Sequence, residues 1–285
     1  MNYNLNTYII SLNKTKNDFQ QYKLFNPIII KGINGELLNK QINNISYSYF
    51  NSLFLPKSVM GCALAHIKCW KKHIFNKNNY TLILEDDFFI ELDSEIDNII
   101  KEIGFNNLIN IYLSHTPNDF DILYLGSLSG SFIKSCFKIL NKTSKYKKIN
   151  NFIAKPDIAL GLHSYIISDS GVIKLLNSIN NCKINFHIDT YIQSLSSMGI
   201  LKTYITIPKL IYQTSTYQNN STLSTFIKCP LFQNIYIDKY FSLNYILNVS
   251  LFSILSYNFS IWIIFLILIS IIIIKKIIKQ SRANK

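Results

Sequence analysis

The stretch Tyr80-Thr-Leu-Ile-Leu-Glu-Asp-Asp87 decides how this chain is read. Thr81 to Leu84 form a short apolar run, the pattern of a strand buried on both faces. The run stops abruptly at Glu85-Asp86-Asp87. Adjacent carboxylates repel one another unless a cation sits among them. Mg²⁺ and Mn²⁺ favour carboxylate oxygens together with substrate phosphates. The competing reading is a solvated acidic helix start, because acids also suit helix N-termini. These letters alone leave both open.

Working outward, further apolar runs at 7–12, 27–30, 121–125, 164–168 and 204–207 read as strands. Helical spacing is found at 58–70, where Ser58 can cap, and at 96–103. It recurs after Asp169-Ser170-Gly171 up to Ile179, and from Thr190 to Met198. Strands alternating with helices predict an α/β fold with a mostly parallel sheet. In such sheets ligands gather at the carboxyl ends of the strands. Asn13, the acid cluster and Gly126 all follow apolar strands in this way. Asn185, His187 and Asp189 alternate with apolar residues, so an extended segment would put them on one face. Residues 36–56 and 127–156 lack pattern and are expected to form loops that shape an acceptor pocket.

The chain has 285 residues, 48% hydrophobic and 16% charged, which excludes intrinsic disorder. Its five cysteines are scattered without a CxxC pair. A disulfide scaffold or cysteine-type zinc site is therefore not expected. Cys62 and Cys69 share a helix face and are read as two buried small side chains. Eight of the sixteen acids fall between Glu85 and Glu102. The net charge of +13 includes five basic residues after Ile274. No zinc-finger, helix-turn-helix or RNP-like pattern accompanies that charge, so nucleic acid is not expected. Anionic lipid and a phosphate-bearing substrate account for it equally well.

Residues 251–274 carry no charge and read as a transmembrane helix, with a basic tail at 275–285. Tyr257 and Trp262 suit the interface. The N-terminus shows no signal-peptide pattern, which predicts a C-terminal anchor with a cytosolic catalytic part. The basic tail argues the other way under the positive-inside rule.

The ordered segments YIISLNKTKNDF, IKGINGELL, SVMGCALAHIKCW, YTLILEDD, DFDILYLG, SYIISDSGVIKLL, INFHIDTYI and IPKLIYQ resemble glycosyltransferase family 25. That family comprises lipooligosaccharide and collagen galactosyl- or glucosyltransferases. The likeness implies a catalytic domain at 5–215 with a GT-A-type, Rossmann-like, nucleotide-sugar-binding fold, followed by a linker at 216–250. It implies a UDP-hexose donor, galactose or glucose, and a glycan or hydroxylated protein acceptor. It also implies a divalent metal, Mn²⁺ (or Mg²⁺), and inversion at the anomeric carbon in one displacement.

Residue by residue, the likeness makes Asp87 and Glu85 the metal ligands, with His187 completing the shell or lying on the surface. Asn13, Lys14, Gly61, His66, Asp86 and Gly126 fall on the donor side. His66 serves there either as a structural hydrogen-bonding group or in catalysis. Asp189 is the candidate base, or else the N-cap of the following helix. This chain departs from the family pattern at Asn13-Lys-Thr-Lys16, Met60 and His163. Those departures motivate an alternative, a catalytically degenerate membrane protein on the same scaffold.

Overall fold

The computed structural model describes residues 5–15, 18–19, 27–38, 55–76, 79–127, 146–184, 187–214, 236–238, 241–242, 247–248, 250–254 and 257–283. Its centre is an eight-stranded sheet in the order β2-β1-β3-β8-β5-β9-β7-β6. The strands are β1 (Leu5–Ser11), β2 (Ile28–Lys31), β3 (Tyr80–Glu85) and β5 (Ile122–Tyr124). The others are β6 (Lys147–Lys148), β7 (Ile153–Lys155), β8 (Ser164–Ser168) and β9 (Thr203–Thr206). A separate short pair joins β4 (Phe88–Phe89) to β10 (Tyr212–Gln213).

The sheet is mostly parallel, as expected, with β7 and β8 reversed. β1 runs parallel to β2 and β3, and β5 parallel to β9. β8 runs against both β3 and β5, and β7 against β9. β7 and β8 run the same way, so the 156–163 segment crosses back along the sheet without a helix and enters β8 at the end where β3 and β5 finish, with Ser164 opposite Leu84. This places His163 beside Glu85, whose backbone N–H donates to the His163 carbonyl at 2.9 Å.

Helices cover both faces. α1 is Lys57–Asn76, α2 Glu95–Ile103, α3 Phe105–His115, α4 Asp169–Asn181 and α5 Ile188–Ser197. One core joins Tyr8, Ile83, Tyr124 and Tyr165 of the sheet to α1, α4 and α5. The other joins Ile9, Leu82, Leu84 and Leu123 to α3. The alternation of Leu82, Ile83 and Leu84 between the two cores is the strand's period of two.

Several boundaries differ from the sequence reading. α1 begins at Lys57, so Ser58 lies inside its first turn instead of capping it. α3 was not anticipated, although Phe105, Leu108, Ile109, Tyr112 and Leu113 are buried with helical spacing. Gly104, at φ 85°, separates it from α2. The extended reading of 184–189 fails: His187 caps α5 and Asp189 lies in its first turn, while Asn185 lies outside the described residues. Part of the 127–156 loop is the β6–β7 edge hairpin. Most of 36–56 and the 216–250 linker lie outside the described residues.

The C-terminal apolar segment also divides differently. β11 (Ser250–Ile254) and β12 (Tyr257–Ser260) form a hairpin, with Phe252 stacked on Phe259 at 5.1 Å. The helix α6 runs from Ile261 to Ala283, so it starts after the polar residues that interrupt 251–260 and carries Lys275, Lys276 and Lys279 within it. Its Ile261–Gln280 portion has a mean hydropathy of 2.8 and is long and apolar enough to span a membrane.

Asp121 anchors the far end of the sheet. Its fully buried carboxylate accepts from Lys174 Nζ at 2.7 Å, Ser170 Oγ at 2.5 Å and the Lys202 backbone N–H at 2.8 Å. Asp121→Ala removes these three bonds and should cost about 1–3 kcal/mol, since the donors it leaves are partly open to water. Urea unfolding of the detergent-solubilised protein should show a lower midpoint at unchanged slope.

Candidate active site

The register of the central strands builds the site. Ile10 pairs with Glu85, Leu84 with Ser164, and Tyr124 with Tyr165. The carboxyl ends of β1, β3 and β5 therefore meet the start of β8, and the acid cluster lies at that edge.

Each acid is held differently. Asp86 turns towards β1: its Oδ2 accepts from Ser11 Oγ at 2.7 Å, and its backbone carbonyl accepts from Lys14 Nζ at 2.6 Å. Asp87 is covered by β10, where the Thr214 N–H and hydroxyl both donate to its backbone carbonyl at 2.8 Å. Gln213 Nε2 donates to Glu85 Oε2 at 3.1 Å and to Asp87 Oδ1 at 3.4 Å. Two carboxylates thus converge on one amide nitrogen.

The other oxygen of Glu85 faces α1. His66 Nε2 lies 3.1 Å from Oε1, and Cys62 Sγ lies 3.9 Å from the same atom. His66 Nδ1 lies 3.0 Å from the Tyr165 hydroxyl, which accepts from Trp70 Nε1 at 2.9 Å. A carboxylate can only accept, so Nε2 carries the proton. Nδ1 then receives the Tyr165 O–H, and the chain Trp70–Tyr165–His66–Glu85 runs in one donor direction. Burial alone would raise the Glu85 pKa, but the His66 hydrogen bond and the His66 and His163 rings bring it below the ordinary value. Its contribution to stability is therefore present above the unfolded glutamate pKa and is lost as pH falls through the folded one.

The remaining predicted residues divide into those at this edge and those used elsewhere. Asn13 is exposed after β1. Asp189 accepts from the Thr190 N–H at 2.8 Å, and its charge acts on Cys62 and Tyr124, which places it on the same side of the sheet. His187, as the cap of α5, makes no side-chain capping bond. Among the described residues, one group of three metal-ligating side chains has its ligand atoms within 4.8 Å of one another: Cys62, His66 and Glu85. Asp87 and His187 stand outside that group. Gly61 permits close backbone approach, since an added Cβ would come within 2.4 Å of the Ile33 carbonyl. Gly126 is similarly closed in, 2.0 Å from the Ile211 carbonyl and 2.5 Å from His163 Nε2 on the same test.

Cys62 corrects the sequence reading: Cys69 is buried, but Cys62 is exposed. Although the residue is accessible to solvent, the protein crowded around its sulfur, then the charges of Glu85, Asp189 and Asp87, push its thiol pKa up. Ser11, Gln213, Thr214, Trp70 and Tyr165 were not singled out as site residues. The available signals were the strand end at Ser11 and the IPKLIYQ run that carries Gln213.

His163 is fully buried, and its ring nitrogens lack a hydrogen bond of good geometry among the described residues, although the Ile211 carbonyl is close enough to act on the ring. Burial and the Lys209 charge hold its pKa down at about 3, against the opposing effects of Glu85 and the Ile211 carbonyl. The unfolded chain binds a proton here below about pH 6.5 and the folded chain does not. Stability should fall by about 1 kcal/mol per pH unit as pH drops from that value towards the folded pKa. His163→Leu should flatten this acid limb in urea melts taken across pH.

The sequence profile described as glycosyltransferase family 25 (LPS biosynthesis protein) matches residues 4–192. The chain belongs to glycosyltransferase family 25. Family 25 membership makes glycosyl transfer the expected activity, with a sugar donor and a glycan acceptor. The match takes in β1, the acid cluster, His66, Tyr165 and Asp189. Gln213 and α6 lie beyond it.

No curated protein matches the chain. Solved structures that overlap it loosely include the following two. The A197 protein from STIV is 12% identical, with 70% of this chain and 80% of that one covered, at a TM-score of 0.32. A protein described as a glucose-1-phosphate thymidylyltransferase from Bacillus anthracis, solved with sucrose, is 11% identical. There the coverage is 75% and 91%, at a TM-score of 0.35. At these scores neither likeness bears on the activity of this family 25 chain.

Proposed function

We propose that this family 25 protein moves a hexose, galactose or glucose, from a UDP-sugar to a hydroxyl of a glycan or protein acceptor. The domain is read as GT-A-type and the transfer as inverting. The observation that carries this reading is the convergence of Glu85 Oε2 and Asp87 Oδ1 on the single Gln213 amide nitrogen. Hard carboxylate oxygens aimed at one point suit Mn²⁺ or Mg²⁺. Glu85 and Asp87 would hold that cation, with the Gln213 amide giving way. When bound, it would neutralise charge on the departing diphosphate.

The chain's own groups supply the rest. The Lys14 ammonium, fixed on the Asp86 carbonyl, adds positive charge on the donor side. Asp189 accepts the proton of the acceptor hydroxyl. The bond from the acceptor oxygen to the anomeric carbon forms as the bond to the phosphate oxygen breaks. The α6 helix anchors this unit to a membrane, supported by its exposed isoleucines from 267 to 278.

The test is a panel of UDP-sugars incubated with the detergent-solubilised protein, with Mn²⁺ and without. UDP release from one UDP-hexose, dependent on the metal, is expected. Absence of release from every donor, together with no calorimetric response to UDP and Mn²⁺, would favour the non-catalytic scaffold instead.

A further inference from the structure

Glu85 divides its carboxylate between two neighbourhoods. Oε2 faces Gln213 and Asp87, whereas Oε1 faces Cys62 and His66. The second neighbourhood is chemically unlike the first, because it adds a thiol and an imidazole to one carboxylate oxygen. We infer that Cys62, His66 and Glu85 form a three-ligand site for a thiophilic divalent cation such as Zn²⁺, separate from the Asp87 side of the cluster.

The spacing fits such an ion. A tetrahedral cation with bonds of about 2.0–2.3 Å holds its ligand atoms about 3.3–3.6 Å apart. The observed separations are 3.1 Å from His66 Nε2 to Glu85 Oε1 and 3.9 Å from Cys62 Sγ to the same oxygen. All three ligand atoms lie within 4.8 Å of one another. Small shifts of side-chain torsions close the remaining differences.

The local structure favours these ligands. Cys62 and His66 are one helical turn apart on α1, so both project towards the end of β3. His66 is 1% exposed and oriented by Tyr165, which Trp70 fixes in turn. A hydrogen-bonded partner on the second ring nitrogen is the usual support of a ligating histidine. Cys62 is exposed, so an ion can enter and a fourth position stays open to solvent. Three protein ligands with an open position are typical of reactive zinc sites and not of closed structural ones. Thiolate and imidazole together select zinc or cobalt over magnesium and manganese.

Binding balances simply. The thiol releases its proton to solvent as the sulfur–metal bond forms. His66 releases its Nε2 proton and takes one up on Nδ1, a change of tautomer with no net charge; Nδ1–H then donates to the Tyr165 oxygen, whose O–H rotates away from the ring. No oxidant or further reactant is needed.

Co²⁺ added to the full-length, metal-free protein in detergent tests this without any sugar nucleotide. The wild type should develop a near-ultraviolet thiolate-to-cobalt charge-transfer band that saturates at one equivalent and is displaced by Zn²⁺. Cys62→Ser should abolish the band, whereas Cys69→Ser and Cys182→Ser should keep it. Tyr165→Phe should weaken Co²⁺ binding by about 10–100-fold through loss of the histidine's support. Absence of a band in the wild type, or a band that survives Cys62→Ser in protein of native circular dichroism, would overturn the site. Since Mn²⁺-dependent transfer is measured separately, either reading can fail without the other.

Discussion

Asp87→Ala is expected to lower metal-dependent sugar transfer by about 10³-fold or more, with little change in stability. The reason lies in how the residue is built in. β10 clamps Asp87 through its backbone carbonyl, which accepts both the Thr214 N–H and hydroxyl. Removing the side chain leaves that clamp and the pairing of Tyr212 with Phe89 in place. What disappears is one of the two carboxylates that converge on the Gln213 nitrogen. Glu85 alone, already bonded to His66 through its other oxygen, is a poor substitute for a chelating pair. Initial rates of UDP release, with urea melts of the same preparation, separate the two effects. Full activity in Asp87→Ala would remove Asp87 from the cation site.

The second large effect concerns α6. Substituting both Ile267 and Ile271 by lysine should release the protein from membranes. Both side chains are 43% exposed and lie four residues apart on one face near the middle of the span. A lysine at the centre of a membrane helix costs about 2.5–3.5 kcal/mol. Two together cost about 5–7 kcal/mol on that scale, a shift in partition of more than about 10³. On the proposed anchoring, the native lysines at 275, 276 and 279 would avoid this cost by lying near the helix end, where their stems would reach the headgroups. Flotation of vesicles in a density gradient reads the outcome. Double-substituted protein that still floats with lipid would show that the helix is held by something other than the hydrocarbon core.

Much of the scaffold was legible because apolar strands and amphipathic helices carry strong periods. β1, β2, β3 and β8 fall where their apolar runs predict, and α2 and α4 cover their helical spacings, although Ser94 and Ser168 cap them and not Asp169-Ser170-Gly171. The antiparallel direction of β8 was not legible. It depends on the chain approaching from the carboxyl end of the sheet, and strand composition does not encode approach. α3 carries a helical period in its buried residues that the sequence reading leaves unassigned. At the site, the acids and His66 were visible as residue types. Gln213 was not, since its place over Glu85 and Asp87 arises from β4–β10 pairing across a long sequence separation. Cys62 was misjudged because helical periodicity gives the face but not which part of that face the neighbouring segments leave open.

The central claim is that Glu85 and Asp87 together hold a hard divalent cation at the carboxyl edge of the sheet. The most direct measurement is the electron paramagnetic resonance signal of free Mn²⁺, titrated with detergent-solubilised protein in the presence of UDP. The signal should fall as protein is added, reach a plateau at one bound ion per chain, and remain undiminished with Glu85→Gln/Asp87→Asn protein. A wild-type titration that leaves the free Mn²⁺ signal unchanged at protein and UDP concentrations in the high micromolar range would contradict it.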